Sequence, residues 1–553
     1  MRLSGTRVCL LAAVASGLAA TPVMGEVNRT SSVQLRFVVD ETENSFRGTT
    51  GWLETQFGTN LSVTGPKLQG AANFNIARRF ELFGDLRRSY NLNGSANGDA
   101  ELVDDFFYVG AGATASQYER DLRGFAGGSE TANNANQVQV IAGFLEPRIQ
   151  TTLGGNLQFD ARYRLGLTTV DGIEGNPLQD LGRVGLGVGD NNGGIRGLTD
   201  SLNQSASVSI GMVPQGQRFT LRTVGNWFRE DTDELDQSYR AYSGGLDGSY
   251  QVTRRASVTG SVGYEDILNR QDSILYDPDT GLPVLGPDGD FVIDPAEPRR
   301  TAFERDGVYW TVGARLTPSR RTSFSVSGGE RYGGRNINAD LQWQNGRGVT
   351  FSGQYFEGLS SFARNLTGAR RGVGFDPTTP GLGDFDDCLT GGLSAGGDCI
   401  PDFNQPVTPA TFRNQRGSLS ARYAQDRKSY SATAFYSRRN YVDLDQLQTA
   451  GSPELDGLDL DGDDVSYGLT LGAAWTLAEN QNLGASLTYS RNEFAISQDR
   501  SDNLFFGQVN YRRDLGQSLF LTANVNGSFR TSENSFADDN RRIGGAVGVG
   551  FQF

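Results

Sequence analysis

The chain has 553 residues, 21% of them charged, a mean hydropathy of −0.42 and a formal net charge of −14. It is therefore too polar for a bundle of membrane-spanning helices and too acidic for a nucleic-acid partner, while 10% aromatic residues set it apart from a disordered tract. It contains no histidine, which excludes Ser-His catalysis, histidine general-base chemistry and histidine metal sites; this argues against an enzyme, and no cofactor is expected.

Arg2 and Arg7 precede an uncharged apolar stretch, Val8 to Ala20, and a small-residue exit at Val23-Met24-Gly25. Residues 1–25 thus read as a secretory signal peptide and residues 26–553 as one mature domain. Loss of the two arginines takes the net charge from −14 to −16. The apolar run is too short for a spanning helix, and no later segment holds about 18 consecutive apolar residues. Insertion into a membrane then requires a closed barrel, the other structure that satisfies every backbone polar group in lipid. No globular segment precedes residue 31, so no amino-terminal plug is expected.

From residue 31 onward the chain breaks into segments that alternate apolar and polar positions. Glycine and polar residues blur the first of them, 31–40, 46–63 and 91–102. Downstream the pattern is clear: Leu157, Phe159, Ala161, Tyr163 and Leu165 oppose Gln158, Asp160, Arg162 and Arg164. Ile337, Ala339, Leu341 and Trp343 repeat it, as do Val465, Tyr467, Leu469, Leu471 and Trp475, then Leu483 to Tyr489 and Leu519 to Phe529. In the closing stretch, Arg541 to Phe553, Ile543, Val547, Val549, Phe551 and Phe553 share one parity, and Gly544, Ala546, Gly548, Gly550 and Gln552 the other. A water-soluble sandwich would also alternate. It gives no reason for the apolar side to carry Tyr, Trp or Phe near segment ends, where an aromatic girdle meets a membrane interface.

Short connections fall at Thr64 to Lys67, Val103 to Asp105, Leu153 to Asn156, Pro214 to Gln217, Thr253-Arg254 and Pro318 to Arg320. Others fall at Asn345-Gly346, Asp426-Arg427, Ala478 to Asn480 and Leu515-Gly516. Placing these in the periplasm puts 171–202, 268–305, 362–411 and 442–463 outside. The expected fold is all-β, a membrane-spanning antiparallel up-and-down barrel of about 22 strands, with 18 or 20 compatible with the blurred segments. The last strand is expected to pair with Gln517 to Arg530 on one side and with residues 31–40 on the other. Its small residues Gly544, Ala546, Gly548 and Gly550 are expected to leave lumen space open, and Phe551 and Phe553 to be read by the barrel assembly machinery. So wide a barrel encloses a lumen that is a water channel or is occupied, and the long loops 268–305 and 362–411 could fold inward to narrow it.

Cys388 and Cys399, in a Gly- and Asp-rich stretch of a secreted chain, point to one disulfide; two thiolates without histidine are too few ligands for zinc. Asp459, Asp461 and Asp463 place carboxylates at every second position, as oxygen ligands for Ca²⁺ would stand, although a solvated outer loop rich in turn residues is the favoured explanation. Bound ions there would serve contact with lipopolysaccharide, which with outer-membrane lipid is the expected surroundings. Asp160, Arg162, Arg164 and Arg222 are expected to face the lumen, either as a compensated polar lining or as a ring selecting anions.

Pro318-Ser319-Arg320-Arg321-Thr322, followed by Gly328-Gly329-Glu330-Arg331-Tyr332-Gly333-Gly334, resembles a stretch of the outer-membrane β-barrels that accompany exopolysaccharide and PEP-CTERM/exosortase gene clusters, a set overlapping β-barrel porin type 2. Glu101 to Asp105 leading into Phe106 to Gln117, and Gly154 to Tyr163, are similar to two further stretches of that family. Asp40-Glu41-Thr42-Glu43-Asn44 departs from it, standing where the family shows an aromatic residue followed by Thr-Asp-Asn. The resemblance implies a Gram-negative outer-membrane barrel that works with polysaccharide export components in export or surface handling of an extracellular polysaccharide. It carries over no functional residue. A general diffusion porin for small hydrophilic solutes, and a closed barrel that displays acidic loops for adhesion, are the other readings.

Overall fold

The computed structural model describes residues 26–43, 48–84, 90–119, 137–171, 200–212, 218–232, 236–273, 275, 277, 284, 292–360, 412–441, 463–493, 501–533 and 539–553. Among these residues the structure is strand and connection, with no α-helix. The first strands are β1 (Glu26–Glu43), β2 (Gly48–Thr64), β3 (Leu68–Phe83), β4 (Tyr90–Val103), β5 (Phe107–Glu119), β6 (Gln137–Leu153), β7 (Leu157–Asp171) and β8 (Ser201–Met212). Then come β9 (Phe219–Thr232), β10 (Ser238–Thr253), β11 (Ala256–Gln271), β12 (Arg300–Ser319), β13 (Thr322–Arg331), β14 (Gly334–Gln344) and β15 (Val349–Ser360). The last are β16 (Phe412–Gln425), β17 (Lys428–Tyr441), β18 (Asp463–Ala478), β19 (Gln481–Glu493), β20 (Ser501–Asp514), β21 (Leu519–Ser532) and β22 (Asn540–Gln552).

The 22 strands form one sheet in which sequence neighbours pair antiparallel, and β1 pairs with β22 to close it. Closure leaves no free edge, which a sheet in lipid requires. The seam register runs from Ser32↔Gln552 to Glu43↔Arg541, and Phe553 and Ser31 exchange backbone hydrogen bonds of 2.8 and 3.0 Å. The blurred early segments are full strands, β1 starting earlier and ending later than the 31–40 expected from alternation. Each is held by backbone ladders on both sides, so it needs no strict alternation of its own.

Alternation sorts the side chains as expected. Ile543, Val547, Val549, Phe551 and Phe553 are exposed on the outer surface of the wall, while Gly544, Ala546, Gly548 and Gly550 face inward and are buried. The outward face is apolar and edged with aromatics: Tyr423, Tyr430 and Trp475 pack near the short turns, with Trp475 Nε1 donating to the Tyr430 hydroxyl at 3.2 Å. Tyr467 lies on the same face of β18 as Trp475, eight positions away. At about 3.3 Å per residue and a tilt of about 40°, that is roughly 20 Å of depth, close to the apolar band of an outer membrane.

Nine short turns and the six-residue link before β9 lie at one end, with the start of β1 and the end of β22, at the positions read from sequence. Asp426 (φ 49°) and Gly154 and Gly155 (φ 58° and 79°) take the left-handed conformation that tight turns demand. The opposite end carries every connection longer than six residues, but that between β13 and β14 is only Tyr332-Gly333. There the ladder between β14 and β15 also stops early. It covers Asn338↔Phe356 to Gln344↔Thr350, so the outer ends of the two strands part. Side chains satisfy the freed backbone: Ile337 N–H donates to Glu357 Oε2 at 3.1 Å, and Asn336 Nδ2 to the Glu357 carbonyl at 2.5 Å.

Candidate functional site

The inward faces of the strands line the lumen, and three sectors of this wall hold its chemistry. The first surrounds the seam. Glu54 of β2 accepts hydrogen bonds from Arg36 Nη2 of β1 at 2.8 Å and Arg79 Nε of β3 at 3.0 Å, with the Glu54 and Arg79 side chains 2% and 1% exposed. Arg542 Nε of β22 donates to Asp40 Oδ1 of β1 at 2.6 Å, so an ion pair ties the last strand to the first. Arg530 of β21 pairs with Asp502 of β20. The Arg79 guanidinium also lies over the ring of Trp52, 5.3 Å from its centroid, and Trp52 packs with Val38 and Ala546. Charges held this far from bulk water persist because each has a partner.

This sector corrects one expectation. The inward glycines of β22 do not open lumen space, because neighbouring side chains lie across them. A Cβ at Gly548 would stand 2.7 Å from Arg36 Cγ and from Gln34 Nε2, and one at Gly550 would overlap the Phe520 ring. The glycines are small so that long side chains from β1 and β21 can fold over the last strand.

The second sector contains the residues singled out from sequence. Arg162 and Arg164 face the lumen from β7, as alternation requires. Arg162 Nη2 reaches Asp160 Oδ1 at 3.1 Å; Arg164 reaches Glu146 Oε2 of β6 at 2.7 Å through Nε and 2.6 Å through Nη2, with its guanidinium over Phe144. Arg222 of β9 pairs at 2.9 Å with Asp247, its direct cross-strand neighbour on β10. Arg162 and Arg164 thus stand side by side on one face of β7 with Arg222 apart on β9, and each is matched by a carboxylate. The arrangement pairs each of these positive charges on the wall with a neighbouring carboxylate. Between the ion pairs run cross-strand hydroxyl contacts, among them Thr220–Ser249 at 2.6 Å, Ser420–Thr433 at 3.0 Å and Thr470–Thr488 at 3.1 Å.

The third sector is built by the short β13–β14 turn. Tyr332 (φ 57°) and Gly333 (φ 75°) both take the left-handed conformation of a type I′ turn, which costs a tyrosine more than the asparagine usual there. The strain is offset by contacts across the wall: Tyr332 N–H donates to Glu265 Oε1 of β11 at 2.5 Å and Arg331 Nε to Oε2 at 3.3 Å. The Arg331 guanidinium stands 4.7 Å from the Tyr309 ring centroid, and Tyr332 packs against buried Tyr239, Ile267 and Leu359. The hairpin tip is thereby drawn against the lumen side of β10–β12. Sequence reading missed this group; its one local signal was an Arg-Tyr-Gly-Gly turn, the shortest connection at the outer end.

Asp463, a candidate Ca²⁺ ligand, accepts from Arg438 Nε at 2.6 Å and from Asn440 Nδ2 at 2.9 Å. Asp459, Asp461, Cys388, Cys399 and residues 1–25 lie outside the described residues, as do the whole loop 362–411 and, in the loop 268–305, residues 274, 276, 278–283 and 285–291. Among the described residues no cluster of three or more Cys, Asp or Glu could hold a metal ion. Phe551 and Phe553 stack on the outer surface at 6.2 Å, 51% and 62% exposed, beside the seam.

A closed 22-strand wall with an apolar, aromatic-edged exterior and a hydrophilic interior defines an outer-membrane β-barrel. No family model and no curated protein matches the sequence. Among solved structures, the chain is similar to the FrpB iron transporter from Neisseria meningitidis (F5-1 variant), at 12% identity and a TM-score of 0.48 over 96% of this chain and 83% of that one. It is also similar to the siderophore receptor PiuA from Acinetobacter baumannii, at 10% identity and a TM-score of 0.44 over 94% and 82% of the two chains. OprD from Pseudomonas aeruginosa gives 8% identity and a TM-score of 0.30 over 95% and 96%.

Proposed function

We propose that the barrel acts in exopolysaccharide export or biofilm-matrix biogenesis, guiding a hydrophilic polymer passively through its lumen. The supporting observation is the lining. Arg162, Arg164 and Arg222 each face a carboxylate, and hydroxyl pairs such as Thr220–Ser249 and Thr470–Thr488 fill the wall between such sites. A neutralised hydrophilic wall offers weak, repeated hydrogen bonds and holds no single ion tightly, which suits a long polymer that must keep moving. Twenty-two strands at a spacing of about 4.8 Å and a tilt of about 40° put opposite backbone walls roughly 40 Å apart. The resemblance of Pro318 to Gly334 to barrels of exopolysaccharide clusters supplies the direction of transport.

Deleting the gene is expected to lower extracellular polysaccharide while cell-associated precursor persists; unchanged extracellular polymer would defeat the reading. The same lining also suits a diffusion porin for small hydrophilic solutes. That alternative predicts solute uptake lost on deletion with polymer output intact.

A further inference from the structure

We propose that a recess on the membrane face of the barrel, at the outer ends of β14 to β18, seats the phosphate of an outer-leaflet lipid. Arg335, Arg413 and Arg438 line this recess of 520 Å³ together with Glu357 and Asp463. By register its residues fall on the outward face, up to the rim where Leu359, the partner of Arg413, turns in against Tyr239 and Ile267. Arg413 pairs with Asn440 and Asn440 with Asp463, and counting in twos along each strand reaches the exposed Leu419, Tyr430 and Leu469. Arg335 lies two positions from exposed Ile337. The recess exists because β14 and β15 separate above Asn338↔Phe356.

Depth and charge both point to a headgroup. Tyr355, Tyr436 and Tyr467 share this face, Tyr436 and Tyr467 as direct partners, and form the outer part of the aromatic girdle. Arg438 stands two positions further out than Tyr436, where lipid phosphates lie above the interfacial tyrosines. Both carboxylates are already engaged. Glu357 accepts from Ile337 N–H at 3.1 Å and from the Tyr355 hydroxyl at 2.7 Å, and Asp463 accepts from Arg438 and Asn440. Among the described residues neither Arg335 nor Arg413 has a carboxylate partner; Arg413 donates one hydrogen bond, to the Arg335 carbonyl. The Arg335 fork and the remaining donors of the Arg413 fork, with no carboxylate partner among the described residues, match the geometry of a phosphate, and the apolar face below, with Ile337, Leu419 and Leu469, continues as a track for acyl chains.

The test uses the full barrel purified in detergent, with diphosphoryl lipid A, fully dephosphorylated lipid A and inorganic phosphate as separate probes, read by native mass spectrometry. Wild-type protein is expected to retain diphosphoryl lipid A. The Arg335→Gln/Arg413→Gln double variant, checked for an unchanged heat-modifiable gel shift, is expected to retain it about ten-fold less well, and dephosphorylated lipid A to be lost from wild type to a similar degree. Equal retention of the two lipids by wild type overturns the proposal even if the variant fails to fold. So does unchanged retention in a folded double variant. Inorganic phosphate that displaces the lipid at comparable concentration would assign the recess to a soluble anion and equally overturn it.

Discussion

The seam sector and the β10–β15 sector solve the same problem, a wide wall that must stay shut, in opposite ways. At the seam the β1–β22 ladder runs unbroken over its paired length, and Arg36, Glu54, Arg79, Asp40 and Arg542 stitch strands together on the lumen side. Between β14 and β15 the ladder stops short, and the wall is held there by Asn336, Glu357 and a strained turn docked on Glu265. Closure of the chain ends is thus secured by buried charge, while the part of the rim with the lowest hairpin rests on a few replaceable contacts. Local opening is expected where backbone ladders are shortest.

Breaking the seam should have the largest effect. Glu54→Ala leaves Arg36 and Arg79 side by side without their shared carboxylate, at a cost of about 3 kcal/mol or more. It should appear as a lower denaturant midpoint of the heat-modifiable folded band; an unchanged midpoint would mean that the network is not a stitch. In the other sector, Glu265→Ala removes the acceptor of Tyr332 N–H and Arg331, a loss of about 2 kcal/mol confined to the hairpin. Its signature should be noisier single-channel current, with global unfolding barely moved.

Phe553→Ala sharpens the contrast from the assembly side. The residue is exposed on the outer surface and its backbone already pairs with Ser31, so folded-state stability should hold while the fraction inserted in the outer membrane falls. Normal insertion would remove Phe553 as an assembly signal. Arg222→Gln should change stability by less than about 1 kcal/mol, since Arg222 and Asp247 are both partly exposed, and shift reversal potentials toward cations by freeing Asp247. The smallest effect belongs to the periplasmic turn, where the hydrogen bond to Asp104 raises the Lys67 pKa from its ordinary 10.5. A raised lysine pKa stabilises below that value and is lost as pH climbs through the folded pKa. Wild type and Lys67→Ala should therefore differ slightly near neutrality and converge at higher pH.

The wall was legible because a strand's period of two is written locally: Ile543 to Phe553 shows its two faces without reference to any other residue. Turn positions were legible for the same reason, as at Gly154-Gly155 and Asp426, whose conformations few residues accept. Pairing was not. Arg542 meets an aspartate 502 positions away, and Arg164 meets Glu146 only once the β6–β7 register is set. The glycines of β22 misled because an absent side chain marks room without saying who fills it; Arg36, Gln34 and Phe520 do. Tyr332 stayed hidden because its left-handed turn draws its compensation from Glu265, 67 positions upstream.

The central claim, a water-filled lumen lined by compensated charge and able to pass a hydrophilic polymer, is tested most directly by single-channel recording in planar bilayers with neutral dextran of increasing size. The account predicts a wide, weakly selective conductance that small dextrans enter and reduce, with a size cut-off set by the lumen. A barrel that inserts correctly yet gives no conductance at any voltage, or one whose current no dextran alters, would contradict it.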